Sequence, residues 1–193
     1  MALVTALFAT ALLMGLGLSI LLLGSAETAL AFRDRDSRAL AYGARAAANV
    51  AAADLRALPS WAAVATPGAM PEVSATPGQF VDATLAPAAP WGGGVLDLRA
   101  LTARLQAESD AAAPSGRAPP WRLFDYGPLA RLVPESASRN PYYLVVWLAD
   151  EGGTVVTRSV AYGPGDGRSI TEASLVRDAG SSRVRILTIR PGS

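Results

Sequence analysis

Residues 27–61 read ETALAFRDRDSRALAYGARAAANVAAADLRALPSW, and they follow a 26-residue stretch, MALVTALFATALLMGLGLSILLLGSA, that has no charged side chain. The fold turns on whether these are two elements or one. Alanine is the best helix former and arginine is close behind. The first proline of the chain is Pro59, so no outright helix breaker stands between the apolar start and Leu58. The composition predicts one helix from about residue 2 to residue 58, roughly 85 Å long at about 1.5 Å per residue.

The two halves of that helix have different surroundings to satisfy. Residues 1–26 exceed the roughly 20 apolar residues that cross a bilayer as a helix, and are read as a transmembrane and polymerisation segment. A secretory signal carries a basic region ahead of its apolar core. Here the core begins at Met1. The competing reading is a signal cleaved after the "ALA" that precedes Phe32. Gly15, Gly17 and Gly24 weaken an isolated helix by about 1 kcal/mol each relative to Ala, but inside lipid unpaired backbone groups are too unfavourable for the helix to open. Residues 27–58 form the distal half. Leu30, Asp34, Ser37, Ala41 and Ala44 make one predicted stripe; Ala47, Val50, Asp54 and Leu58 continue a neighbouring one.

Charge and composition remove several function classes. Seventeen basic and sixteen acidic residues give a net charge of +1, and no Lys, Cys or His occurs. A nearly neutral chain without a basic run is a poor match for nucleic acid. Without Cys or His there is no disulfide framework, thiolate nucleophile, Cys/His zinc site or Ser-His-Asp triad. The carboxylates are scattered. Asp34 and Asp36 interleave with Arg33, Arg35 and Arg38 as a helix flank at the level of lipid headgroups. Asp150 and Glu151 adjoin a Gly-Gly turn, and Asp166 lies in the loop GPGDG. Gly92–Gly94 lacks the Lys-Ser/Thr of a phosphate loop. The chain is read as non-enzymatic, with no cofactor and no metal.

Residues 59–193 are read as a globular α+β head. Residues 62–95 look loop-like, with a repeated ATPG at 65–68 and 75–78 and a short strand at Gln79–Leu85. Val95–Glu108 reads as a helix capped by Asp97, with Leu98, Leu101 and Leu105 on one stripe. Trp121, Leu123, Phe124 and Leu129 are expected burial points. The last 50 residues predict a four-strand antiparallel meander: PYYLVVWLADE, TVVTRSVAYG, ITEASLVRD and RVRILTIR, with turns at Gly152–Gly153, GPGDGRS and DAGSS. In the last strand Arg183 and Arg185 are expected outward, with Val184, Ile186 and Thr188 toward the core. A one-residue slip would reverse that. Packing the distal helix on this sheet buries both apolar faces.

Over residues 1–61 the order of features resembles the type IV pilins and type II secretion pseudopilins, most closely the minor subunits called PilX and the K pseudopilin. That order is an uncharged helix, Glu27 at the membrane exit, an Arg patch at Arg33–Arg38, an Ala-rich run at Tyr42–Ala48, and the helix exit LPSW. The resemblance implies a pilin-like fold, a long N-terminal helix on a C-terminal antiparallel sheet. It implies a mature chain starting at Met1 after a prepilin peptidase has acted before it. Assembly would run through Met1, Thr5, Glu27, Arg33, Arg35 and Arg38. Partners would be other minor pilins, the major pilin and the inner-membrane assembly platform, with no nucleic acid. The location would be the bacterial inner membrane, single-pass with the head in the periplasm, then a pilus or pseudopilus fibre at the cell surface, where adhesion is one role. Major pilins carry Glu where Thr5 stands. A carboxylate in lipid is kept only where a cation meets it, so Thr5 suits a subunit with none ahead of it, at the tip or in priming. K pseudopilins bind calcium, but no matching acidic cluster is present. The other readings are a single-pass membrane protein with a periplasmic binding domain and a cleaved, secreted structural protein.

Overall fold

The computed structural model describes residues 1–58, 61, 80–92, 94–114, 116–133, 140–177 and 184–192. The chain divides into two compact units, Met1–Arg38 and Ala39–Ser193. Helix α1, Ala2–Ala57, runs through both as one α-helix with no interruption at Glu27.

The second unit is built on a five-stranded antiparallel sheet in the order β1-β2-β3-β4-β5. The strands are β1 (Arg122–Pro128), β2 (Tyr143–Asp150), β3 (Thr154–Tyr162), β4 (Arg168–Arg177) and β5 (Val184–Pro191). The four expected strands are present, and β1 is the additional one. Its sequence, RLFDYGP, hides it: Arg, Asp and Gly are poor strand residues, yet every position from Arg122 to Gly127 is buried. A bulge between Leu123 and Asp125 breaks the two-residue alternation.

Strand β2 reads as a continuous apolar run because both faces of the sheet are covered there. Leu144, Val146 and Leu148 join the core with Leu40, Ala44, Ala47, Ala51 and Leu55 of α1. Tyr143, Val145 and Trp147 join the other core with Leu98 and Leu105. Those two residues belong to α2 (Leu98–Ala112), whose N-cap Asp97 accepts from the backbone N–H groups of Arg99 and Ala100. The helix runs to Ala112, beyond the expected Glu108, and stops before Pro114.

The stripe that α1 buries differs from the expected one. Leu40, Gly43, Ala44, Ala47, Ala48, Ala51, Ala52 and Leu55 are buried, whereas Leu30, Asp34, Ser37 and Ala41 are exposed and Val50 and Asp54 half-buried. The reason is size. Nearly all these residues are Gly or Ala, which allow close approach, and hydropathy cannot separate them from the Ala around them. A Cβ on Gly43 would lie 3.3 Å from the Ala161 methyl and 3.4 Å from Leu144. Opposite the stripe the sheet offers small residues, with Ala161, Thr157 and Ser159 all fully buried.

The end of α1 is held by side chains. The Trp61 indole donates to the Leu55 carbonyl at 3.0 Å, and the Arg177 guanidinium donates to the Leu58 carbonyl at 3.1 Å. The first satisfies one of the terminal carbonyls that an α-helix leaves without partners, and the second satisfies the carbonyl just past the helix end.

Two further expectations need correction. Residues 80–85 form no strand; Val81 makes a single parallel bridge to Tyr126, and the Tyr126 N–H donates to the Phe80 carbonyl at 2.8 Å. Arg131 and Tyr143 fix this segment through Asp82, at 3.6 and 3.2 Å. Burial and the Asp82 carboxylate push the Tyr143 phenol far above its ordinary range, so it stays protonated as the donor. In β5, only Val184 is buried. The bulge at Ser174/Leu175 pairs Leu175 with Ile186 but Ser174 with Thr188, leaving Leu187 between them. Thr188 therefore turns to the α2 face and Ile189 takes its place on the α1 face. Ile186 keeps the expected face but is 37% exposed, because β5 is the edge strand. Arg183, the DAGSS turn and the ATPG repeats lie outside the described residues.

Candidate functional site

The six sequence-designated assembly residues all lie in the first unit. Every residue from 1 to 38 is exposed, including Leu7, Phe8, Leu12, Leu13, Leu21 and Leu23. This part of the helix is long and apolar enough to cross a membrane.

Its polar side chains are satisfied locally. Thr5 donates to the Ala2 carbonyl at 2.9 Å, Thr10 to Leu7 at 2.9 Å, Ser19 to Gly15 at 2.8 Å, Ser25 to Leu22 at 2.8 Å and Thr28 to Gly24 at 2.8 Å. Each hydroxyl thus spends its proton on its own helix, which lowers the cost of placing it in an apolar medium. No cation or anion interrupts residues 2–26.

The charged band begins at Glu27. Arg38 forms a two-pronged contact with Asp34 one turn earlier, at 2.8 and 3.2 Å, with both side chains solvated. Such a pair adds little stability. Glu27, Arg33 and Arg35 make no ion pair among the described residues. The structure does not gather the six residues: Thr5 and Glu27 are separated by about 33 Å of helix at the standard rise. They form a graded strip, apolar first and charged after.

The second unit holds the loops that carry the remaining carboxylates. Asp150 accepts from the Gly153 N–H at 3.1 Å, and Gly152 and Gly153 have φ of 68° and 97°, as a tight hairpin between β2 and β3 requires. Asp166, with φ 58°, sits in the β3–β4 hairpin that the Gly163 N–H closes onto the Gly167 carbonyl at 2.8 Å. Gly163 is obligatory for a different reason: a Cβ there would meet the Tyr142 ring at 2.8 Å and Leu40 at 3.1 Å.

Sequence reasoning overlooked the cross-strand pair Tyr162–Arg168 and the arginines around it. Tyr162 is directly opposite Arg168 across β3 and β4, and Arg158 and Arg104 flank the same small cavity. Only strand register could have found this, because the four residues come from three elements.

No family model, curated protein sequence or solved structure matches the chain. The fold itself defines a class: an α+β head whose antiparallel sheet is packed on the distal part of a long N-terminal helix. The apolar first part of that helix has the character of a membrane anchor or signal sequence. This architecture is consistent with a type IV pilin-like fold and is not specific to it.

Proposed function

We propose that the chain is a non-enzymatic minor pilin of the PilX-like kind, taking part in type IV pilus assembly at a priming or tip position. The observation that carries the reading is α1 itself. One uninterrupted helix is wholly exposed and apolar at its start, then buries a stripe of small residues in an antiparallel sheet. Covering a Leu or Phe is worth roughly 1.5–3 kcal/mol, and no described residue covers this apolar segment, so a cover from its surroundings is strongly favoured. A bilayer supplies it before assembly, and neighbouring subunit helices supply it in a fibre. Thr5, whose hydroxyl is occupied by the Ala2 carbonyl, offers no charge to the amine of a preceding subunit, which favours the tip. Glu27 and the arginines at 33, 35 and 38 then mark the level of the periplasmic membrane surface. The partners are other minor pilins, the major pilin and the inner-membrane platform, and a prepilin peptidase acts before Met1. A minor pseudopilin of type II secretion is the near alternative and shares these features.

The test is a fibre preparation from cells carrying a tagged copy. The proposal expects label in sheared fibres at a small fraction of the major subunit, confined to fibre ends, or loss of fibres on deletion with the label retained in the membrane. Even labelling along shafts removes the tip position. Normal fibres on deletion, with label only in the membrane, support a single-pass membrane protein instead.

A further inference from the structure

We propose that the α2-covered face of the sheet carries a carboxylate-binding notch, formed by Arg104, Arg158, Arg168 and the Tyr162 hydroxyl, for a carboxylate borne on an apolar stem. The inference stands on the head alone and is independent of the pilin reading.

The geometry follows from register. Tyr162 and Arg168 are paired residues immediately flanking the Gly163–Gly167 hairpin, so their side chains leave the same face about 5 Å apart at Cβ. Arg158 lies four residues earlier on β3 and shares that face, and Arg104 reaches over from α2. Between them is a cavity of about 50 Å³ with Leu105, Trp147 and Ile170 along its wall. A single water needs about 10–15 Å³, so the cavity has room for a carboxylate head group with its stem leading outward.

The charge inventory leaves the notch positive. Arg104 pairs with Glu108, which also lines the cavity, at 2.9 Å. Arg158 and Arg190 share one carboxylate, Glu172, at 3.4 and 3.0 Å. Arg168 makes no ion pair among the described residues, and the Tyr162 hydroxyl makes no hydrogen bond there. The charged residues that line the notch are Arg104, Arg158 and Arg168 with Glu108, so three guanidiniums and one carboxylate face the cavity. Burial raises the Tyr162 phenol above its ordinary range in spite of the neighbouring arginines, which keeps it protonated and able to donate. A carboxylate in the notch would accept from Arg168 and Tyr162 together, a charge-assisted arrangement. The Leu105, Trp147 and Ile170 wall sets the class of ligand. It suits a carbon stem and disfavours an inorganic phosphate, whose remaining oxygens would lose water against apolar side chains.

The test uses the full chain in a non-ionic detergent, labelled with 15N-tryptophan. Trp147 borders the notch and its indole donates to Thr102 at 2.8 Å, so its indole signal reports occupancy while those of Trp61, Trp91 and Trp121 control for folding. The probes are 3-phenylpropionate, inorganic phosphate and chloride at matched ionic strength. The proposal expects a saturable shift of the Trp147 signal with phenylpropionate and at least tenfold weaker response to phosphate. Arg168→Gln should weaken binding at least fivefold and Arg168→Lys less. A peptide ending in a free leucine carboxylate distinguishes the source: tighter binding than phenylpropionate assigns the notch to a protein partner, weaker binding to a free small acid. No saturable shift, an equal response to phosphate, or an unchanged affinity in Arg168→Gln with the control signals in place overturns the proposal.

Discussion

Helix α1 contains two regions of identical secondary structure that are stable for opposite reasons. From Met1 to Arg38 every side chain is exposed, and the large apolar residues are uncovered among the described residues. From Leu40 to Leu55 six of the eight buried residues are Gly or Ala, framed by the two leucines, and they lie on a sheet. Most of the helix's large apolar residues are thus on the bare part, and most of its core positions are small. Hydrophobicity alone would have assigned them the other way. In the head, close approach to Ala161, Leu144 and the buried Thr157 and Ser159 rewards small side chains. In the first region, bulky side chains are what a lipid or a packed bundle of neighbouring helices rewards.

The sharpest way to break this comparison is one substitution made in each region. Leu55→Ala, at a position with no exposure, should cost about 2–5 kcal/mol through lost burial and a cavity. Leu30→Ala, at 64% exposure, should stay within about 0.5 kcal/mol. Thermal unfolding of the two variants in the same detergent checks this, and equal losses would erase the distinction. Leu12→Arg addresses the bare region in its own terms. It should disfavour membrane insertion by roughly 3 kcal/mol on the translocon scale, seen as protein extracted by alkaline wash, while leaving head unfolding unchanged. If the Leu12→Arg variant stayed fully membrane-bound, that would argue against a spanning segment.

Ala51→Leu sharpens the claim that the core stripe is selected for smallness. Ala51 is fully buried, and overpacking there should cost about 1–3 kcal/mol although the residue becomes more hydrophobic. A more stable variant would mean the stripe is composition without function. Removing the Arg177 contact to the Leu58 carbonyl by Arg177→Met should cost about 1 kcal/mol and fray the last turn of α1, measurable by amide exchange at Leu55–Leu58. The smallest effect concerns Asp54, whose carboxyl is pushed above the ordinary carboxylate range by burial. A raised acid pKa means the folded state holds its proton longer than the unfolded chain. The stability this gives is present below the ordinary Asp range and is lost as pH rises through the folded value. Asp54→Asn should therefore raise the melting temperature at neutral pH and change it least at acidic pH. The reverse order would refute the assignment.

What could be read from the sequence depended on whether local pattern and burial agree. The long helix was legible because no proline precedes Pro59, and β2 to β4 because their apolar runs are bounded by turn residues. Asp97 announced its helix by cap chemistry. Strand β1 was not legible: Arg122, Asp125 and Gly127 argue against a strand, and the bulge removes the alternation. The β5 faces were misjudged at Thr188 because the Leu187 bulge is a property of pairing with β4. Of the buried stripe of α1, Ala44, Ala47 and Leu58 were named, whereas Ala48, Ala51 and Ala52 escaped because they look like every other Ala in an Ala-rich chain. For the proposed assembly strip, Glu27 was legible as the first charge after an apolar run and Thr5 only through the resemblance, whereas the Tyr162–Arg168 pairing needs register.

Under the proposed function, residues 1–38 are covered in the cell by other subunits as well as by lipid. A photo-crosslinking residue at Leu12, which is 65% exposed, tests it directly in cells that are making fibres. The expected result is adducts to the N-terminal helices of other pilin subunits, lost when the assembly platform is removed, alongside lipid adducts that persist. Lipid adducts alone, unchanged by loss of the platform, would contradict it.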